Sequence, residues 1–267
     1  IIVFGYEFYK SKAENVRYLM CKDERDMLTK FLTLWMTWEP DVVTGWNIEG
    51  FDIPYLYNRI KIVLGEREAK KLSPWGMVNE REIVRGKSAT RNSKNIEDRV
   101  DKVYELVGIA VLDYLELYKK FSFSNQETYK LDYIALVELG EQKLDYSEYA
   151  SLYDFYKKNY EQFVDYNIRD VVLVDKLDDK LKLIELVMAF AYDAKVNYTD
   201  VMTTVKPWDV IIHNYLLEKK IVIPQNSRSR MTESLVGGYV KEPKTGMSEW
   251  VVSFDLNSLY PHLIMQY

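Results

Sequence analysis

Apolar positions along the chain recur with two periods, and the switches between them mark the elements. Ile1–Tyr6 and Val16–Cys21 read as strands, and the polar stretch Lys10–Asn15 predicts a hairpin turn between them. Met27, Phe31, Leu34, Trp35 and Trp38 then follow helical spacing behind Asp23, a candidate N-cap. Pro40 precedes Val42-Val43-Thr44-Gly45, a short β-branched run that reads as a buried strand between breakers. Polar residues come next, with a carboxylate at Asp52. Pro54 opens a helix to about Leu64, with Leu56, Ile60 and Val63 on one face and Gly65 as its stop. Strand, helix, strand, helix is the rhythm of an α/β domain.

From Asn79 to Val107 the pattern becomes that of a long hairpin. Glu80–Arg85 and Arg99–Val107 are its arms, and Gly86–Asp98 is a polar tip holding Lys87, Arg91 and Lys94. Ile109-Ala110-Val111-Leu112 is a continuous apolar run, which predicts a buried strand ending at Asp113, and Leu131–Glu138 predicts a short helix before Gly140. Between Glu141 and Lys206 there is neither Gly nor Pro, which favours long helices. Phe163, Val171, Val174, Leu177, Leu181, Ile184 and Met188 hold helical spacing there, and Trp208, Ile211, Ile212, Tyr215 and Leu216 do so after Pro207. Pro224–Arg230 is the clearest linker. Beyond it Tyr239–Lys241 and Glu249–Phe254 predict two more strands, with Asp255 at the end of the second.

Composition narrows the chemistry. With 267 residues and 48% hydrophobic character the chain has enough apolar mass for a large core and more than one domain. One cysteine, Cys21, excludes an internal disulfide and a multi-cysteine zinc site; two histidines, His213 and His262, exclude histidine-rich metal sites. No apolar run approaches the roughly 20 residues of a membrane span. The net charge of −5 argues against a free-standing nucleic-acid binder, which is usually basic, but is compatible with an enzyme that holds metal through carboxylates. The apolar runs at both ends lead to the expectation of a piece of a longer protein.

Two acids stand out by position. Asp52 lies where a strand gives way to a helix, a place that reaches ligands at a sheet edge; on this stretch alone the plainer reading is an N-cap. Asp170 stands four residues after Tyr166, so the two share a helix face, although taken singly Asp170 reads as a solvated helix charge.

Three strings together resemble the family B DNA polymerases, most closely the replicative enzymes of T-even-type bacteriophages. Asn47-Ile48-Glu49-Gly50-Phe51-Asp52-Ile53-Pro54-Tyr55 is similar to that family's second exonuclease motif, and Tyr166-Asn167-Ile168-Arg169-Asp170 to the third. Ser253-Phe254-Asp255-Leu256-Asn257-Ser258-Leu259-Tyr260-Pro261 is similar to the first polymerase motif and is the most specific of the three. Leu112-Asp113-Tyr114 through Phe123 and Gly237–Pro243 support the match, which covers nearly the whole chain.

The resemblance implies an α/β (α+β) fold: a ribonuclease-H-like 3′→5′ exonuclease domain with a mixed sheet and flanking helices, followed by the beginning of a polymerase palm. The expected division is residues 1–182 for the partial exonuclease domain, 183–226 for a helical segment packing toward an N-terminal domain, and 227–267 for the start of the palm. Asp52 and Asp170 would hold exonuclease metals, with Tyr166 orienting the attacking water. Asp255 and the Leu256 carbonyl would hold polymerase metals, and Ser258, Leu259 and Tyr260 would lie against the incoming nucleotide. The implied cofactor is Mg²⁺ or Mn²⁺, two ions per active site, which suits carboxylate ligands. Implied partners are primer–template DNA, deoxynucleoside triphosphates, and a sliding clamp and replisome reached through regions outside this sequence. The location would be the cytoplasm of an infected bacterium if the source is a phage. The hairpin at about 80–106 takes the place of one that helps separate primer from template.

Two departures matter. The first exonuclease motif, Asp-x-Glu, occurs nowhere in the sequence, and neither does the Asp-Thr-Asp of the polymerase site. The expectation is therefore a chain that alone neither degrades nor extends DNA. The alternative is a catalytically silent relative that keeps the fold for DNA binding or assembly; retention of Asp52, Tyr166, Asp170 and Asp255 counts against it.

Overall fold

A computed structural model describes residues 1–10, 15–85, 99–141, 149, 151–223 and 239–266. Its elements fall into two units, Ile1–Ile223 and Pro224–Tyr267.

The first unit is built around a parallel pair of short strands, β3 (Val42–Gly45) and β6 (Ala110–Asp113), in the register Thr44 to Leu112 and Gly45 to Asp113. Because side chains alternate across a strand, this ladder presents one face to each of two cores. Val42 and Leu112 face the first core, with Tyr114, Leu117 and Tyr118 of α4 (Tyr114–Phe121), Ile134 of α5 (Leu131–Leu139), Leu173 and Leu177 of α7 (Tyr160–Leu181), and Val187 of α8 (Leu183–Ala194). Val43 and Val111 face the second, with Leu28 and Leu32 of α1 (Glu24–Trp38), Ile53, Tyr57 and Ile60 of α2 (Ile53–Val63), the short α3 (Glu66–Ala69), and Tyr104 and Leu106 of β5 (Arg99–Leu106).

β5 pairs antiparallel with β4 (Val78–Arg85), which is the long hairpin expected from the sequence; its tip, 86–98, lies outside the described residues. Asp23 caps α1 as expected, its carboxylate accepting from the Asp26 amide at 2.8 Å. The remaining helices of the unit are α6 (Leu152–Lys158) and α9 (Lys206–Glu218).

Several local expectations are corrected. β1 (Ile2–Gly5) and β2 (Arg17–Met20) run parallel and do not form a hairpin. The cause lies just past β1: Tyr9 is buried and its hydroxyl donates to Asp165 Oδ1 of α7 at 2.6 Å, so the chain leaves the strand to dock on a helix before it returns. α1 buries Leu28 and Leu32, while Trp38, expected inside, is exposed. α7 buries Val164, Leu173 and Leu177, leaving Val171 54% exposed, and the helical run breaks at Lys182, which takes a left-handed conformation (φ 54°).

Gly5 lies against two tyrosine side chains that any Cβ there would have to displace. An ideal Cβ there would lie 2.0 Å from the Tyr160 hydroxyl and 2.1 Å from that of Tyr18. Those hydroxyls are hydrogen-bonded to each other at 2.7 Å, and Tyr18 also donates to the Glu7 carbonyl. Gly5→Ala is therefore expected to lower stability by about 1–3 kcal/mol, the usual cost of overpacking. Thermal melting checks this, and an unchanged Tm would show that the tyrosines move aside without penalty.

In the second unit the described residues form one helix, α10 (Leu259–Gln266), and no strands. The two strands expected over 239–241 and 249–254 do not form: neither segment is paired, the chain bends at 249–250 with Trp250 left-handed (φ 58°), and Tyr239 and Phe254 are each 91% exposed. A strand gains its stability from a neighbour, and no strand lies beside either segment among the described residues. The expected linker, Pro224–Arg230, and Gly237-Gly238 lie outside the described residues. No described helix is long and apolar enough to cross a membrane.

Candidate functional site

At the end of β3 the chain passes through Trp46 and Asn47 into a single turn of π-helix, Ile48–Asp52, which runs directly into α2. Asn47 is left-handed (φ 62°) and Ile48 is buried beneath the turn. Such π turns are rare and often mark functional sites. The Trp46 indole fixes one side of the turn, donating to the Tyr129 carbonyl at 3.1 Å and packing its ring against Tyr114 and Tyr118. The other side is held by Asp113. Its Oδ1 accepts from the amides of Asn47 and Leu115, each at 3.0 Å, and its Oδ2 from that of Glu49 at 3.1 Å.

Asp52 is not the N-cap that its local sequence suggested. Its backbone is already helical (φ −66°, ψ −47°) and its side chain makes no capping bond, because the π turn supplies the preceding helical residues. The carboxylate faces a cavity of about 1330 Å³ whose walls also include Tyr166, Asn167 and Asp170 of α7 and Lys130 and Asp132 at the start of α5. Asp170 is not the solvated helix charge either, since its Oδ1 is buried. Tyr166 sets its ring edge-on against the buried Phe155 of α6, at 6.2 Å between centroids. Acids 118 positions apart in sequence thus line one cavity because α7 packs across the end of the β3–β6 ladder.

The electrostatics suit a cation. Partial burial pushes the Asp52 carboxyl above the usual range, its own backbone amide opposes that, and the nearby Asp113 charge raises it further. Burial likewise raises Asp113, against the three amides that favour its ionised form. Two carboxylates offer the hard oxygen ligands that Mg²⁺ or Mn²⁺ prefers. Among the described residues no three His, Cys, Asp or Glu side chains are gathered as a complete metal cage, so further ligands would have to come from elsewhere.

The residues expected to serve nucleotide addition lie in the second unit. Asp255, Leu256, Leu259 and Tyr260 are all exposed there; Ser258 is left-handed (φ 55°), and its carbonyl accepts from the His262 amide one turn into α10. Asp113 entered the sequence reading as the end of a strand and as part of a supporting match, without a role in the site. The local signal for more was a polar residue closing a buried run just before a helix, which marks a cap; its bonds to the Asp52 turn carry no local signal.

Comparison with known proteins agrees with the motifs. Residues 5–134 match the family model for the exonuclease domain of DNA polymerase family B, and residues 206–267 match the model for DNA polymerase family B itself. The third motif, at 166–170, falls between the two matched stretches. It is spanned by alignments to the DNA-directed DNA polymerases of Escherichia phage RB69, 40% identical over 262 residues, and Enterobacteria phage T4, 39% identical. Each alignment covers 98% of this chain and 28% of the phage enzyme. The DNA polymerase delta catalytic subunit of Candida albicans is 29% identical over 91% of this chain and 23% of its own length. The chain thus spans roughly a quarter of the length of these relatives, 23–28%. It belongs to DNA polymerase family B, carrying that family's exonuclease domain in a mixed α/β arrangement and the start of its palm.

Proposed function

We propose that the cavity bounded by Asp52, Tyr166 and Asp170 is a proofreading 3′→5′ exonuclease site of a DNA-directed DNA polymerase. The observation that carries the proposal is the shared cavity: the two motif acids and the motif tyrosine line one space, and the Oδ1 of Asp170 is buried. Divalent metal, when bound, supplies charge neutralisation and a nucleophilic hydroxide at neutral pH. Asp52 and Asp170 would hold it. Tyr166 would orient the attacking water toward the terminal phosphorus. A P–O bond then forms to water, the bond to the penultimate 3′ oxygen breaks, and that oxygen leaves with a proton as a new 3′ hydroxyl.

In the second unit Asp255 and the Leu256 carbonyl are proposed as metal ligands of the polymerase site, with Ser258, Leu259 and Tyr260 against a deoxynucleoside triphosphate. The support is the motif string alone. Primer–template DNA is the substrate that both activities share, and a sliding clamp belongs to the same reading. The division into 1–182, 183–226 and 227–267 is kept as a proposal for how the activities are apportioned.

Because the sequence contains no Asp-x-Glu, the purified chain is expected to release no nucleotide from a 3′-labelled oligonucleotide in Mg²⁺. A chimera in which this chain replaces the matched stretch of the RB69 polymerase is expected to release 3′ nucleotides and to extend a primer. Mg²⁺-dependent release by the chain alone would contradict the proposed need for further acids. A chimera that extends primers but releases nothing would contradict the exonuclease assignment.

A further inference from the structure

We propose that Asp113 is the positioning residue of the Asp52 turn: one buried carboxylate, by accepting the amides of Asn47 and Glu49, fixes the π turn that delivers Asp52 to the cavity. The proposal rests on the exonuclease reading for its catalytic consequence, though not for its structural content.

The geometry goes beyond what a helix cap requires. A cap needs one oxygen and one amide at the N-terminus of its own helix, and it works well in solvent. Asp113 does cap α4, through Leu115, and is only 5% exposed. It spends the rest of its acceptor capacity on a different segment, 66 and 64 residues away in sequence. Those two bonds straddle Ile48 and hold the left-handed Asn47, a conformation that a non-glycine residue rarely keeps without outside help. β-sheet register puts Asp113 opposite Gly45, the last residue of β3, so the carboxylate stands where the turn departs. The mechanism as described makes no other use of this buried acid.

Two variants separate the capping role from the positioning role. In Asp113→Ser a short hydroxyl can still cap Leu115 but cannot reach Asn47 and Glu49. In Asp113→Asn the remaining oxygen can serve Asn47 and Leu115, while the new amide meets the Glu49 N–H, donor against donor. Amide hydrogen exchange on this 267-residue chain is expected to show Asn47 and Glu49 losing protection in Asp113→Ser, with Leu115 staying protected. In Asp113→Asn the loss falls chiefly on Glu49. In the RB69 chimera, Asp113→Ser should lower kcat for 3′ excision by roughly 10–100-fold, as removal of supports behind metal ligands does. The KM for single-stranded DNA and the rate of primer extension should hold, and the latter shows that the chimera is folded.

Unchanged exchange at 47 and 49 in Asp113→Ser would overturn the proposal. So would excision that falls in step with Tm across the two variants and not with the exposure of those amides. Asp52→Ala in the same chimera keeps the two readings apart. If it leaves excision intact, the exonuclease reading fails; if it abolishes excision while Asp113→Ser leaves kcat at the parent value, positioning alone fails.

Discussion

Asp52→Ala and Asp170→Ala, each introduced into the RB69 chimera, are expected to reduce 3′ excision on the order of 10³-fold or more while leaving primer extension near its parent rate. The magnitude follows from the several kcal/mol of transition-state charge stabilisation that a metal supplies, at a tenfold loss per 1.36 kcal/mol. It also follows from where the two acids stand. Both line one cavity, and the Asp52 carboxyl is held above its usual range by desolvation first and by the Asp113 charge second, both of which a bound cation offsets. Single-turnover excision of a 3′-terminal mismatch is the measurement, since it reports chemistry and not product release. If the two acids act as one unit, the double variant should lose little more than either single one. Losses that multiply would mean that Asp52 and Asp170 serve separate steps.

Leu177→Ala is expected to destabilise the chain by about 2–5 kcal/mol and lower Tm by roughly 5–15 °C, because it opens a cavity where the surroundings cannot collapse. Leu177 is 0% exposed in the core that joins α4, α5, α7 and α8. Val171, six residues earlier on the same helix, is 54% exposed, and Val171→Ala should change stability by no more than about 0.5 kcal/mol. The pair tests the face on which α7 is packed, and the same packing aims Asp170 at the cavity. Equal losses from both substitutions would mean that the helix is turned differently and that the cavity is misplaced.

What could be read in the sequence was whatever one segment decides by itself. β3, β6, the arms of the long hairpin, α2 and α5 each have a clear period and clear breakers, and each formed within a residue or two of its expected place. The pairing of β1 with β2 was not legible, because a parallel ladder depends on Tyr9 finding Asp165 on a distant helix. The inner face of α7 was ambiguous, since Val171 connects to Leu177 through Val174 in steps of three while Leu173 connects to it in one step of four, and only packing chooses between them. Strands expected over 239–254 have the right residues but no neighbour among those described.

The candidate site divides the same way. Asp52, Tyr166 and Asp170 were visible as motif letters, yet each acid had a plainer local reading, as a cap or a surface charge. The structure removes both readings, through the π turn and the buried Oδ1. Asp113 was the reverse: the sequence marked it as a strand end, and its larger role lies in bonds to residues more than sixty positions away.

The central claim is that Asp52 and Asp170 meet at one metal-binding cavity. The most direct test is Mn²⁺ anomalous scattering from crystals of the chimera bound to a single-stranded oligonucleotide. The account predicts a peak within coordination distance of both carboxylates, beside the 3′-terminal phosphate. Mn²⁺ bound elsewhere, with the two side chains left uncoordinated while the DNA 3′ end is in place, would contradict it.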